Sequence, residues 1–582
     1  MSPTASVGSA ADVATGPRGQ RAHTAQFEHA RRFEPRLWPV GPGVWCMVGN
    51  GLSNQTFVEA PEGIIAIDTG ESTEEMAAAL AALREHTDRP IAAVIYTHFH
   101  YVAGTAAIDD DAHLTGYPIW AHERICLNRE RMATEVGVTM RRGLVYQFGL
   151  TLPADGPDGL VSAGLGPWFR NPAHAPFTDG FMPPTRTIAT GTSTTIAGLR
   201  VEMTPAPSDA DDSITIWFPE LDVCVNNIVW PALFNIYAIR GEEYRDPRVL
   251  LHGLDHVRSL NAEHLVGAHG PPLSGRDHVA SEVTRARDAI QFIWDQTVRG
   301  INRDLTSGEL IEFVQLPACY DESYLTQQLY GLAEHHTRQV HTGLRGWFDG
   351  YEAELLPLPT AERCARMIAG FGGRDEVRAQ ARAALDADDL RWSLELATWL
   401  VRSEVGPDGR ADAGTADDRG LLASVLRSTA QRTTSANIRN WCLTRARELD
   451  GLQDLSRLRR HRFSVAEVLA AEPAVFVHGL RVLLAPERAE GLDVHLTWEF
   501  EGDGRTGLHV RHCIAAPTDG EGGDHTIHLR RTTWAEVLAG KRTLDDALAS
   551  GDASITGDAS AVRAALAVFD HPSFSMQGTA AS

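Results

Sequence analysis

The residues best suited to chemistry lie at the end of one apolar run, where Ile91–Tyr96 leads directly into Thr97-His98-Phe99-His100. On an extended segment, residues i and i+2 project to the same side, so the imidazoles of His98 and His100 can reach one cation. In a chain with 24 histidines a His-x-His pair alone is a weak signal, because a polar strand end facing solvent looks the same. The surroundings strengthen it. Ala103-Gly104-Thr105 follows the pair, and Gly63-Ile64-Ile65-Ala66-Ile67-Asp68-Thr69-Gly70 stands upstream as a second apolar run that ends in polar residues.

Positioning such a pair requires a sheet. From about Val44 to His278, β-type runs at Gln55–Ala60, Gly63–Asp68, Ile91–Tyr96, Pro118–Ala121, Leu199–Met203, Ser213–Trp217, Asp222–Asn226 and His264–Gly267 alternate with helical or loop stretches. That alternation predicts an α/β layered domain. Between roughly Asp321 and Leu452 the pattern turns helical. Asp375–Ala387 carries Val377, Ala381, Ala384 and Leu385, and Leu390–Ser403 carries Trp392, Leu396, Trp399 and Leu400, all at helical spacing. The polar stretch from Gly406 to Asp418 predicts an exposed loop. After about Arg459, Val494, Leu496, Trp498 and Phe500 alternate with polar residues, as do Leu508 with Val510 and Ile527 with Leu529. Period two predicts half-buried antiparallel strands, followed by helices at Trp534–Ala539, Leu544–Ser550 and Ala559–Phe569.

A chain of 582 residues exceeds one compact core and implies several domains. Its 43% hydrophobic and 22% charged content is that of a globular protein. The 53 basic and 76 acidic residues give a formal charge of −23, which argues against nucleic acid or an anionic membrane surface as a partner. Seven cysteines, an odd number with no close pair, fit a reducing compartment. No window has the uninterrupted apolar length of a membrane span, and the first thirty residues contain no apolar stretch long enough for a signal peptide. The expected location is cytoplasmic, and the first thirty or so residues read as a loose polar tail.

The order Asp68-Thr69-Gly70, Thr97-His98-Phe99-His100, Thr204-Pro205 and Ala268-His269-Gly270 resembles the metallo-β-lactamase superfamily. More narrowly, the chain resembles its alkyl sulfatase family. Trp217-Phe218-Pro219-Glu220-Leu221, Asn235-Ile236-Tyr237-Ala238-Ile239-Arg240-Gly241 and Arg345-Gly346-Trp347-Phe348-Asp349-Gly350 carry that likeness, with Gly551-Asp552 and Gly557-Asp558 near the end. The resemblance implies an α/β architecture: an αββα metallo-β-lactamase-like sandwich, an all-α dimerisation domain and an α+β sterol-carrier-like domain. The expected division is a flexible tail over residues 1–35, the sandwich over 36–320, the helical domain over 321–455 and the last domain over 456–582.

The family pattern His-x-His-x-Asp-His holds two zinc ions, whereas this chain reads His98-Phe99-His100-Tyr101-Val102-Ala103. Val102 and Ala103 have no lone pair for a metal, and the family's bridging glutamate falls near Asn226 or Asn227. The remaining carboxylate of the first metal position lands on Asp209 counted back from Phe218-Pro219-Glu220, or on Ser208 counted forward from Thr204, and chemistry selects Asp209. The late histidine is His269. The resemblance therefore leaves His98, His100 and Asp209 as ligands, with His269 completing or flanking the site and Asp211, Asp212 or His122 as alternative donors. Tyr101 either donates to a developing anion or packs. Arg240, Arg245, Asn235 and Tyr237 fall in the segment that lines the family's sulfate pocket, where guanidinium forks suit an oxyanion.

Two imidazoles and one carboxylate suit one divalent metal, either Zn²⁺ or Fe²⁺. The expectation is a metal-dependent hydrolase that cleaves an ester with an anionic group and an apolar tail, acting on a small molecule as a homodimer. A mononuclear non-haem iron oxygenase or oxidase, and a non-catalytic pseudoenzyme, are the competing expectations.

Overall fold

The computed structural model describes residues 7–111, 116–133 and 135–574. The expected tail and last domain also extend over residues 1–6 and 575–582, which lie outside the described residues. Contacts divide the chain into two units, one formed by residues up to Cys126 with Gly143–Asp454, the other by Leu127–Arg142 with the chain from Leu455 onward.

The first unit opens with a short hairpin, β1 (Val13–Thr15) against β2 (Arg21–His23), and the helix Thr24–Ala30. This segment is folded, contrary to the loose tail expected from its composition. Gln26 Nε2 donates to Thr433 O at 2.7 Å and His29 Nε2 to Gly164 O at 2.7 Å. Its polar side chains are matched to backbone carbonyls far along the chain, and local composition carries no trace of such partners.

A seven-stranded sheet follows in chain order, β3 (Arg36–Gly41), β4 (Val44–Val48), β5 (Gln55–Ala60), β6 (Gly63–Ile67), β7 (Ile91–Ile95), β8 (Ile119–His122) and β9 (Arg186–Ile188). Strands β3 to β6 pair antiparallel, and β6 to β9 parallel. The second sheet has six strands, β10 (Thr192–Ile196), β11 (Leu199–Pro205), β12 (Ile214–Phe218), β13 (Val223–Asn226), β14 (His264–Gly267) and β15 (Leu273–Ser274). Every residue of β6 is buried, as a strand covered on both faces requires. Alternation explains how: Ile65 and Ile67 meet Val201, Met203, Ile214 and Ile216 between the sheets, while Ile64 and Ala66 meet Met76, Leu80 and Leu83 of the helix Thr73–Arg84. Helices Pro247–Leu260 and Arg276–Ile301 cover the other outer face through Leu250, Leu254, Val283 and Ile290. The expected αββα sandwich is present.

Helices Thr360–Gly370, Arg374–Asp386, Leu390–Arg402, Ala416–Arg432 and Ala436–Leu449 form the helical part, with Val377, Ala381, Leu396, Trp399 and Leu400 in one core. The last three starts are capped by side chains. Asp389 accepts from Trp392 N at 3.1 Å, and Thr415 with Asp418 makes a reciprocal capping box. Ahead of these helices runs an apolar strip left in solvent, with Trp347 71% and Leu356 92% exposed, together with Tyr351, Leu355 and Leu358.

The second unit holds the sheet β16 (Asp493–Phe500), β17 (Gly504–Arg511), β18 (Ile514–Thr518), β19 (His525–Leu529) and β20 (Ala553–Thr556), in the order β18-β17-β16-β19-β20. Leu496, Trp498, Leu508, Val510 and Ile527 bury one face against Trp534, Val562 and Phe569. Helix Arg531–Leu538, helix Leu544–Ser550 and helix Ala559–Leu566 match the expected α+β domain, but β19 runs parallel to β16 where an antiparallel strand is expected, because the chain crosses over between them by way of β17 and β18. Among the described residues no helix is long and apolar enough to cross a membrane, and none of the seven cysteines is in a disulfide.

Candidate metal centre

The parallel strands β6 and β7 end side by side, and the residues just beyond them begin the site. Asp68 takes a left-handed backbone with φ 57°, which Asp tolerates better than most residues, and its Oδ1 accepts from Thr97 N at 2.7 Å. Its Oδ2 accepts from Thr97 Oγ1 at 2.6 Å. Having given its one proton to Asp68, the Thr97 hydroxyl accepts from His98 Nδ1 at 2.9 Å. The His98 proton is thus fixed on Nδ1, and Nε2 presents a lone pair. Burial pushes Asp68 up to about 7 against the two Thr97 bonds, with the Asp209 charge adding to the rise. A cation beside Asp209 would lower it again.

His98 has an extended backbone, but Phe99–Tyr101 forms a 3-10 turn. The two imidazoles therefore converge by a turn at the strand end and not by alternation along an extended segment, which corrects the sequence expectation. Their rings stand at 84° with centroids 5.0 Å apart. Between them enters Asp209, from the loop that joins β11 to β12. His100 Nδ1 is 3.2 Å from Asp209 Oδ2, and His98 Nε2 is 3.8 Å from Asp209 Oδ1. One donor atom from each of the three residues lies within 4.8 Å of the others. His98 Nε2 and His100 Nε2 are buried without a hydrogen-bond partner. A buried lone pair facing a buried carboxylate is repulsive unless a cation stands between them. These residues fit a divalent metal.

Of the two registers for position 208 or 209, the carboxylate at 209 faces the histidines, while Ser208 Oγ donates to Ser213 Oγ at 2.8 Å. Burial opposes the Asp209 charge, yet the hydrogen bond from His100 and the Arg245 cation favour it, and the carboxyl lies well below the usual range. Asn227 Nδ2 donates to Asp209 Oδ1 at 2.6 Å, whereas Asn226 Oδ1 accepts from Ile228 N and Val229 N. The alternative donors lie outside the three-residue cluster. Asp211 pairs with Arg124 at 2.8 Å on the surface, His122 Nδ1 accepts from Arg124 N at 3.3 Å, and Asp212 is buried nearby.

His269 shares the pocket but stands apart from the cluster. Its Nδ1 donates to Leu52 O at 2.9 Å, and its Nε2 faces the Tyr101 hydroxyl at 3.5 Å. Burial lowers His98 to about 3 and His269 to about 4, and raises the Tyr101 phenol well above its ordinary value.

Arg240 and Arg245 approach from the segment after Asn235. Despite burial, Glu242 keeps Arg240 firmly charged by pairing with its Nε at 2.7 Å. Arg245 Nη1 donates to Asn235 O at 2.7 Å and to Asn235 Oδ1, while its Nε is buried with no partner. Tyr237 turns elsewhere, with its ring 6.2 Å from that of His335. Sequence reasoning missed Glu242, Thr97 and Tyr330. The Tyr330 hydroxyl accepts from Gln147 Nε2 at 2.9 Å, and Gln147 Oε1 accepts from Arg240 N at 3.2 Å, which ties the segment ahead of the helices to the pocket. Glu242, two residues after a candidate arginine, carried the one legible signal.

Comparison with known proteins shows the family. Residues 48–225 match the family described as the metallo-beta-lactamase superfamily, 306–451 match alkyl sulfatase dimerisation, and 466–576 match alkyl sulfatase C-terminal. A linear primary-alkylsulfatase of Pseudomonas sp. is 34% identical over 537 residues, which span 88% of this chain and 98% of that protein. The chain belongs to the alkyl sulfatase family. An (R)-specific secondary-alkylsulfatase of Pseudomonas sp. is 27% identical over 90% of this chain and 79% of its own length. The solved structure of the stereoselective inverting sec-alkylsulfatase Pisa1 from Pseudomonas sp. superposes with a TM-score of 0.82 at 25% identity, covering 94% of this chain and 87% of that one. As an alkyl sulfatase family member, the protein is a metallo-hydrolase of that type, and the family's divalent metal finds matching donors in the sandwich.

Proposed function

We propose that His98, His100 and Asp209 hold one divalent metal and that the protein hydrolyses an ester with an anionic group and an apolar tail, an alkyl sulfate first among them. The observation that carries this reading is the buried His98 Nε2 lone pair opposite Asp209 Oδ1 at 3.8 Å, with the imidazole proton held on the far side by Thr97. When bound, the metal would lower the pKa of its water toward neutrality and so supply a nucleophile. The chain's own residues arrange the rest. Asn227 fixes one oxygen of Asp209, leaving the other toward His100. The unpartnered Nε–H of Arg245 is a buried donor available to an ester oxyanion, and the Arg240–Glu242 pair keeps a second guanidinium in the same region. Tyr237, whose ring turns to His335, has the weakest claim on substrate among the expected residues.

Metal analysis of the purified protein with an assay of sulfate release from a linear alkyl sulfate tests the proposal. One zinc per chain and sulfate release, both lost in His98→Ala and Asp209→Ala while the fold persists, is the expected result. The donor count of two imidazoles and one carboxylate also favours a second reading, Fe²⁺ and oxygen chemistry. One equivalent of iron with no sulfate release would select it. Absence of metal would leave a binding protein.

A further inference from the structure

Among the described residues the pocket brings together His98, His100, Asp209 and His269, of which the first three lie within reach of a single cation. His269 is well prepared to be a ligand. Its proton is fixed on Nδ1 by Leu52 O, so Nε2 carries a lone pair, and the ring is buried edge-on against Trp230 with centroids 5.3 Å apart. What stands between this lone pair and the other donors is Tyr101. Its ring meets His98 edge-on at 5.1 Å and His269 edge-on at 5.3 Å, and its hydroxyl faces His269 Nε2.

We infer that Tyr101 sets the metal count of this pocket, excluding a second cation by filling the space between His98 and His269. The inference rests on the one-metal reading above. The ring has little freedom to withdraw. It is 5% exposed and packs in the same apolar cluster as Leu52 and Trp230. Its backbone is pinned where Thr69 N donates to Tyr101 O at 2.8 Å, and Ala103 N donates to Gly70 O at 3.1 Å two residues on. The same 3-10 turn places His100, so moving Tyr101 by its backbone would also displace a ligand. The next side chain gives no help. Val102 packs with Met76 and Tyr96 in the outer apolar layer, so the residue that faces the histidines is Tyr101. Replacing the donors at 102 and 103 therefore leaves the space occupied, whereas a short carboxylate at 101 both empties it and adds a ligand opposite His269.

Zinc content after dialysis is the first readout. Wild type, Tyr101→Phe, and Val102→Asp combined with Ala103→His are expected to keep one equivalent, and Tyr101→Asp to rise to two. Two equivalents in Val102→Asp with Ala103→His while Tyr101 remains, or one equivalent in folded Tyr101→Asp, would overturn the inference. X-ray absorption at the zinc edge of the wild type needs no variant to fold, and it counts imidazoles on the metal. Two imidazoles are expected, and three would place His269 on zinc and overturn the role of Tyr101. A wild type free of metal would defeat the one-metal reading itself, a different failure with a different signature.

Discussion

Asn227 Nδ2 donates to Asp209 Oδ1 at 2.6 Å, and that amide occupies the region where the family resemblance places a bridging carboxylate. In the proposed site this contact orients the Asp209 carboxylate and leaves the amide itself without a ligand's role. Groups that orient ligands typically contribute ten- to a hundredfold in affinity. Asn227→Ala is accordingly expected to weaken zinc binding by roughly 10–100-fold with the fold intact, measured by competition with a chromogenic chelator.

Thr97 links Asp68 to His98 and decides which nitrogen of the imidazole is free. Thr97→Val keeps the shape and removes the hydroxyl. It is expected to cost about 1–3 kcal/mol in chemical denaturation, because the Asp68 carboxylate loses a buried partner. Zinc affinity should fall as well, and Thr97→Ser should restore both. Unchanged affinity in Thr97→Val would show that the tautomer is set elsewhere.

The apolar strip at Trp347, Tyr351, Leu355, Leu356 and Leu358 lies within the part matched to alkyl sulfatase dimerisation. A second copy of the chain is the proposed cover. Leu356→Asp combined with Trp347→Ser is expected to shift the protein from dimer to monomer in sedimentation velocity at micromolar concentration, with zinc content unchanged. A wild-type monomer would remove the proposal.

His29 supplies a pH dependence away from the metal. Burial, with Arg32 nearby, lowers it from 6.5 to about 4, against the bond to Gly164 O. The unfolded chain therefore binds a proton between those values that the folded chain refuses. Stability from this group is complete above the unfolded pKa and is lost as the pH falls from about 6.5 towards 4, at about 1.4 kcal/mol per pH unit. His29→Gln should flatten the stability profile by that slope in this window, as read by urea midpoints across pH.

Much of the sandwich was legible because its strands are buried on both faces or on alternate faces, which leaves a periodic trace. Asp209 was legible because counting from two anchors left residues 208 and 209, and of these only the aspartate offers a carboxylate. The position of the Tyr101 ring against His98 and His269 was not legible, since no local period encodes such a contact, and Glu242 was signalled only by its place two residues after Arg240. The short 3-10 turn at Phe99–Tyr101 also escaped, because an apolar strand followed by aromatic residues looks extended until the chain's return path is known. The same holds for Leu127–Arg142, which groups with the C-terminal unit far along the sequence.

The bond from Gln26 to Thr433 spans 407 residues. During synthesis at about 5–20 residues per second, the N-terminal helix is made roughly 20–80 seconds before its partner exists. His29 waits for Gly164, and Arg21 offers its carbonyl to Arg439 at 3.1 Å only once the last helix of that unit has been made. Until then Gln26 and the Arg21 carbonyl lack these two partners. Completion of this unit consequently waits for the helix Ala436–Leu449, and the opening segment cannot settle into its final place before that helix exists.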